Sequence, residues 1–245
     1  MTGLSAVYRR EAASYFATPL AYVFIVIFLL LAGVFSFALG GFYERGQADL
    51  APFFSFHPWL YLFLVPAVAM RLWAEERRSG SIELLLTLPL RPGVAVLAKF
   101  LAAWTFVALA LALTFPIWIT VNYLGNPDNG AIFAAYIGSL LMAGGFLAVG
   151  SCLSAATRSQ VIAFILTVVV CFALLLAGFP LVLDAFRGWA PEALIDAIGS
   201  LGFLTHFQAI SKGVLDLRDL LYFGMTIGVW LYATTLVLEL RKAEH

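Results

Sequence analysis

Charge is scarce in this sequence: 11% of its residues are Asp, Glu, Lys or Arg, against 63% hydrophobic and 15% aromatic. A water-soluble domain with so few charges could not cover its own surface, so lipid is the solvent this chain suits. An excess of either sign is also absent, with net charge zero, and no basic patch offers itself to nucleic acid. Lysine occurs only at Lys99, Lys212 and Lys242, and none follows a G-x-x-x-x-G-K-[ST] loop. The chain therefore holds no phosphate-cradling loop for ATP. Its two cysteines, Cys152 and Cys171, fall at different depths of separate apolar segments, which argues against a disulfide and for apolar filler. No catalytic, cofactor-binding or metal-binding residue is read anywhere in the chain.

What is abundant is long apolar runs. A helix needs roughly 20 apolar residues to cross a ~30 Å hydrocarbon layer. Six segments meet or approach that length, at about 20–42, 53–73, 94–121, 131–154, 161–183 and 219–238. The second carries His57, Pro58 and Pro66 and is expected to be kinked rather than broken. Lys99, near one end of the third, is expected to snorkel toward the headgroups. The fourth is rich in small residues, including Gly138, Gly144, Gly145, Gly150 and Ser151, which let membrane helices approach closely. The fifth is almost purely aliphatic and aromatic. The fold class is thus an all-α integral membrane protein with six transmembrane helices, forming one membrane domain over 1–245.

Orientation follows from the basic residues. With both termini in the cytosol, ten lie inside: Arg9, Arg10, Arg71, Arg77, Arg78, Arg91, Lys99, Arg158, Arg241 and Lys242. Four lie outside: Arg45, Arg187, Lys212 and Arg218. The first apolar run is too long for a signal-peptide core and no A-x-A-like site follows it. A multi-pass protein of the bacterial inner membrane is expected.

Residues 1–18 form an amphipathic interfacial helix rather than a seventh span. Leu4, Val7, Tyr8, Ala12 and Tyr15 recur on one face, opposed by Ser5, Arg9, Arg10 and Ser14. The stretch 184–218 is too polar to span and too apolar for a free loop. It reads as two amphipathic pieces resting on the outer leaflet, a re-entrant-like segment, with Asp216 and Asp219 starting the last span.

Between the second and third spans lies the stretch with most chemistry, Glu75-Glu76-Arg77-Arg78-Ser79-Gly80-Ser81-Ile82-Glu83-Leu84-Leu85-Leu86-Thr87-Leu88-Pro89. Arg71 and Glu75 are spaced for an i,i+4 pair. Gly80 permits a reversal, Ser81 can cap a helix, and Glu83 sits in its first turn where the macrodipole favours an acid. A leucine-rich helix of about two turns, stopped by Pro89 and Pro92, is too short to stand alone. It must bury more than one face, and the membrane covers only one.

The order E-E-R-x-x-G-S-x-E-x-L-L-x-x-P resembles the cytosolic coupling segment of ABC-2-type transporter permeases. The resemblance extends along the whole chain. Within the family it looks most like the gliding-motility-type permeases, through Pro19-Leu20-Ala21-Tyr22-Val23-Phe24, Phe56-His57-Pro58-Trp59-Leu60 and His206-Phe207-Gln208-Ala209-Ile210-Ser211-Lys212-Gly213-Val214. Nitrous-oxide-reductase maturation permeases are more distant relatives. The resemblance implies an ABC-2 (type V exporter-like) permease fold, with 75–92 as the coupling segment. It implies that Glu76, Arg77, Gly80, Ser81, Glu83, Leu84 and Leu85 engage a separate ATPase subunit, a nucleotide-binding dimer that carries ATP and Mg. A second copy of the chain, or a homologous permease, completes the transporter. A membrane-anchored periplasmic auxiliary subunit is a further possible partner. The path is expected between two six-helix units, lined by the first, second and fifth spans, with Phe203, His206 and Phe207 in an outer gate.

Two other classes stand beside this one. A secondary transporter would need ionisable groups at mid-membrane depth, whereas His57, Arg71, Lys99 and Asp184 fall toward span ends. A rhomboid-like intramembrane protease would need a serine and histidine within hydrogen-bond reach. Ser151 and His206 echo that pair, but they are expected on opposite sides, as a packing residue and a solvated or interfacial one. The cargo is not legible.

Overall fold

The computed structural model describes residues 2–80, 91–186 and 191–242. Among them every regular element is helical and none is a strand. The elements are α1 (Thr2–Phe16), α2 (Pro19–Val34) running into a π-turn (Phe35–Leu39), α3 (Ala51–Ala69) and α4 (Arg71–Ser79). Then come α5 (Pro92–Ala112), α6 (Phe115–Leu124), α7 (Asn129–Ala156) and α8 (Gln160–Leu176). The chain ends in α9 (Pro180–Phe186), α10 (Glu192–Ser200), α11 (Phe203–Ser211) and α12 (Leu217–Lys242).

Among the described residues five helical stretches are long and apolar enough to cross a membrane: Ala21–Leu39, Ala51–Ser79, Pro92–Leu124, Asn129–Ala156 and Leu217–Arg241. The proteinaceous core is α7, whose apolar window is 72% buried, against 17% for the first of these stretches and 11% for the last. Its small residues explain why. A Cβ at Gly150 would fall 2.3 Å from Ala69 Cβ of α3, and one at Gly144 would fall 3.0 Å from the Trp104 indole of α5. Gly138 and Gly145 take the Ile210 and Phe203 side chains of α11. Small residues thus admit α3, α5, α11 and α12 around one post.

The third span is present as Pro92–Leu124, with an interruption at Leu113–Thr114, because Pro116 cannot donate to the helical ladder. Thr114 Oγ1 caps the break by donating to Leu111 O at 2.6 Å, and it lies 2.9 Å from the Tyr136 hydroxyl. The expected fifth span does not continue to 183 as a single helix, since α8 stops at Leu176. There Gly178 and Gly202 approach so closely that a Cβ on Gly202 would fall 2.6 Å from Gly178 N. Finally, α10 and α11 meet at 59° around Gly202, and α11 does not rest on a surface. Its Phe203, His206, Phe207 and Ile210 are buried against α7 and α12.

The α1 helix covers the face its periodicity predicts. Val7 is buried, Leu4, Tyr8, Ala12 and Tyr15 are partly covered, and Ser5, Arg9, Arg10 and Ser14 are exposed. That face packs on α5: Tyr15 stacks on Phe106 with ring centroids 5.1 Å apart, and Tyr8 donates to Thr105 Oγ1 at 3.1 Å.

Candidate functional site

Helix α4 continues α3 across Met70, and α7 splices the joint. Ser154 Oγ donates to Met70 O at 2.9 Å and accepts from the Trp73 and Ala74 backbone N–H groups at 3.1 and 3.0 Å. The fully buried Trp73 donates its indole N–H to Ser151 Oγ at 3.0 Å. Ser151 is therefore a hydrogen-bonded packing residue here, and its partner is not a histidine.

Beyond Trp73 the helix carries the charged motif. Arg71 Nε donates to Glu75 Oε2 at 3.0 Å, the i,i+4 pair the spacing predicts. Arg77 donates to the carbonyl of Ala155, one of the C-terminal carbonyls that α7 itself leaves unsatisfied. Arg241 of α12 does the same for Ala156 at 3.0 Å. Gly80 then ends α4 in the left-handed region at φ 75°, where a side chain would be strained. Gly80 therefore has the backbone conformation that a reversal would use. Ser81, Glu83, Leu84 and Leu85 lie outside the described residues.

Glu76 faces inward, toward a network that sequence reading missed. Lys99 of α5 is 3% exposed, so its expected snorkelling is corrected. Its ammonium lies 3.1 Å from Glu11 of α1 and 3.0 Å from Glu76 of α4, and 5.2 Å over the Trp73 ring. Arg10 adds a second cation, 2.8 Å from Glu11 and 3.8 Å from Glu76. A buried ammonium requires such partners, since desolvating it alone is prohibitive. Burial pushes the Glu11 carboxyl up, but Lys99 and Arg10 outweigh it and hold the group below its ordinary value. The missed signal was local: Glu11 lies on the covered face of α1, four residues from Val7 and from Tyr15, and Lys99 alone among the lysines lies inside an expected span.

These contacts gather α1, the end of α4, the C-terminal end of α7 and the C-terminal part of α12 at one end of the bundle. Helix α1 and the C-terminal part of α12 thus meet at the same end. Beneath the network a cavity of about 420 Å³ opens between α1, α2, the α3–α4 joint and α5.

At a second locus, His206 Nδ1 is 2.6 Å from Asp219 Oδ1, and His206 Nε2 is 3.0 Å from Ser200 O. The imidazole stacks on Tyr222 with centroids 3.9 Å apart, and Phe203 stacks on Phe146 at 5.2 Å. His206 is buried and paired, which corrects its reading as solvated or interfacial. The structure brings Phe203, His206 and Phe207 together on one face of α11. Ser151 and His206 have separate partners and form no dyad.

A family model described as "ABC-2 family transporter protein" matches residues 43–195, well over half of the chain. The match contains the charged motif and α4, and it ends before α11. No curated protein matches the chain.

Proposed function

The chain belongs to the ABC-2 transporter family as a membrane-spanning permease component of an ABC transporter, and from that premise we propose that it is an exporter subunit driven by a separate ATPase docked on residues 75–92. The observation that carries this reading is the tie between that segment and the bundle. Through Glu76, Arg77 and the Ser154 splice, α4 is bound to α1, α5 and α7 at once. A push delivered just beyond Gly80 would move these helices together rather than bend one loop. In this reading Gly80 and Ser81 turn the chain outward, Glu83 serves the polar contact, and Leu84 and Leu85 fill the ATPase groove. Glu76 and Arg77 support the segment from within the permease as well as bordering the contact. ATP and Mg reside on the partner.

The same proposal has both termini and the docking segment in the cytosol of a bacterial inner membrane, in agreement with the ten-to-four split of basic residues. The sequence runs quoted above are the ground for proposing a gliding-motility-type permease, with a second permease copy and a periplasmic auxiliary subunit as further partners. Leu85→Asp tests the docking. Burying an unpaired carboxylate costs about 3 kcal/mol or more, so the variant should lose its ATPase on copurification while remaining in the membrane. Undiminished copurification would refute the docking.

The proposed path runs between two copies along α2, α3 and α8. These helices are neighbours, with α3 packed against both of the others. Each also presents apolar side chains outward: Val26 and Leu30 on α2, Trp59 and Phe63 on α3, Val161 and Ile165 on α8. Single cysteines at Val26 and Ile165 should cross-link between protomers, and cysteines on α12 at Met225 should not. Cross-linking confined to α12 would move the seam there.

A further inference from the structure

We propose that the cavity between α1, α2, the α3–α4 joint and α5 is a binding site for one phospholipid with a zwitterionic phosphate–ammonium headgroup. Its volume of about 420 Å³ is that of a small-molecule site, so it takes the headgroup and the adjoining part of the acyl chains, with the rest of the chains outside it. Its walls are divided by chemistry. Val23, Phe24, Ile27, Leu64, Val68 and Phe106 line one part, and Glu11, Arg71, Glu75, Glu76 and Lys99 line the other. Val23 and Ile27 are about half exposed on the outer face of α2, so the apolar part opens where acyl chains lie. A hydrophilic ligand would leave that lining unsatisfied, and a pure hydrocarbon would strand the charges.

The polar part selects the headgroup. Lys99 is already engaged by two carboxylates at 3.1 and 3.0 Å. Arg71 differs: among the described residues its only hydrogen bond is from Nε to Glu75, at 3.0 Å. Its terminal amines remain as a planar fork suited to phosphate. Glu75 is half exposed beside it and offers an acceptor to an ammonium. Counting Arg10, the charges around the cavity are three acids and three bases, so the wall has both signs and no excess. A zwitterion matches that arrangement. An anionic headgroup would bring a charge that nothing balances.

The inference does not depend on ATPase docking, and its test needs no ATP. The full chain is placed in nanodiscs of phosphatidylglycerol containing a trace of phosphatidylethanolamine with a diazirine in one acyl chain. After illumination, labelled residues should map to Val23–Ile27, Leu64–Leu72 and Phe106. Excess unlabelled phosphatidylethanolamine should compete, whereas soluble glycerophosphoethanolamine should not. Arg71→Gln should weaken that competition about tenfold, the loss expected for one charge-assisted hydrogen-bonded contact. Ala67→Phe, which fills the cavity and leaves both ion pairs in place, should abolish labelling there. Labelling spread evenly onto α12, or unchanged in either variant, would overturn the site. Equal competition by added phosphatidylglycerol would overturn the zwitterionic assignment, and displacement by the soluble headgroup would overturn the lipid.

Discussion

At Lys99 a single ammonium joins carboxylates from two elements, Glu11 and Glu76, that lie far apart in sequence. Glu11 is the member with a resolved shift, downward from an ordinary value of 4.5. A carboxyl held below its unfolded value binds fewer protons when α1 is docked, so docking gains stability as pH rises. That contribution is complete above about pH 4.5 and is lost as pH falls through the lowered value. Spin labels at Ala13 and Leu97 should therefore report a narrow distance distribution at neutral pH that broadens reversibly on acidification, as pH falls through the lowered value. Glu11→Gln should remove the step. A distribution that stays narrow throughout acidification, in wild type as in Glu11→Gln, would show that packing of Tyr15 and Val7 holds α1 without the ion pair. The chemistry at this scale was half legible. Arg71–Glu75 follows from spacing along one helix and the left-handed Gly80 from its residue type, whereas Glu11–Lys99–Glu76 and His206–Asp219 require knowing which helices meet.

The helices themselves follow from patterns that are local. Apolar runs longer than a bilayer is thick announce the first four spans and the last, and the 3.6-residue period of α1 gives its covered face. What the sequence hides is where a helix stops for a tertiary reason. The end of α8 is set by the approach of Gly178 to Gly202, and the burial of α11 by the gaps that Gly138 and Gly145 leave on α7. Neither glycine pair is distinguishable in sequence from a stripe that packs on another span. Gly150→Ala measures this kind of contact. Its Cβ would fall 2.3 Å from Ala69 Cβ and 3.1 Å from Thr167 Cγ2, so α3 and α8 must both shift away from α7. A cost of about 1–3 kcal/mol is expected by denaturant titration in micelles. Gly33→Ala on α2, with nothing within 4 Å, should be neutral. Equal effects would mean that the α3–α7–α8 contact is not close-packed.

Over the whole molecule, one end of the bundle holds α1, the Lys99 network and the charged end of α4, while His206 and Asp219 lie near the start of the last helix. An energy input at the first end can reach the other through α7, which touches both α4 and α11. That geometry suits a permease whose motor is elsewhere, and the sequence agrees in having no phosphate loop of its own. The central claim is that ATP is hydrolysed by a partner and that this chain receives the stroke. ATP turnover of the purified chain in proteoliposomes, measured alone and again with the ABC ATPase subunit that copurifies with it, tests this most directly. The account predicts no turnover by the chain alone and, in the complex, turnover that is lost when the ATPase's phosphate-loop lysine is replaced. Hydrolysis by the chain alone, or transport that persists unchanged with the ATPase inactivated, would contradict it.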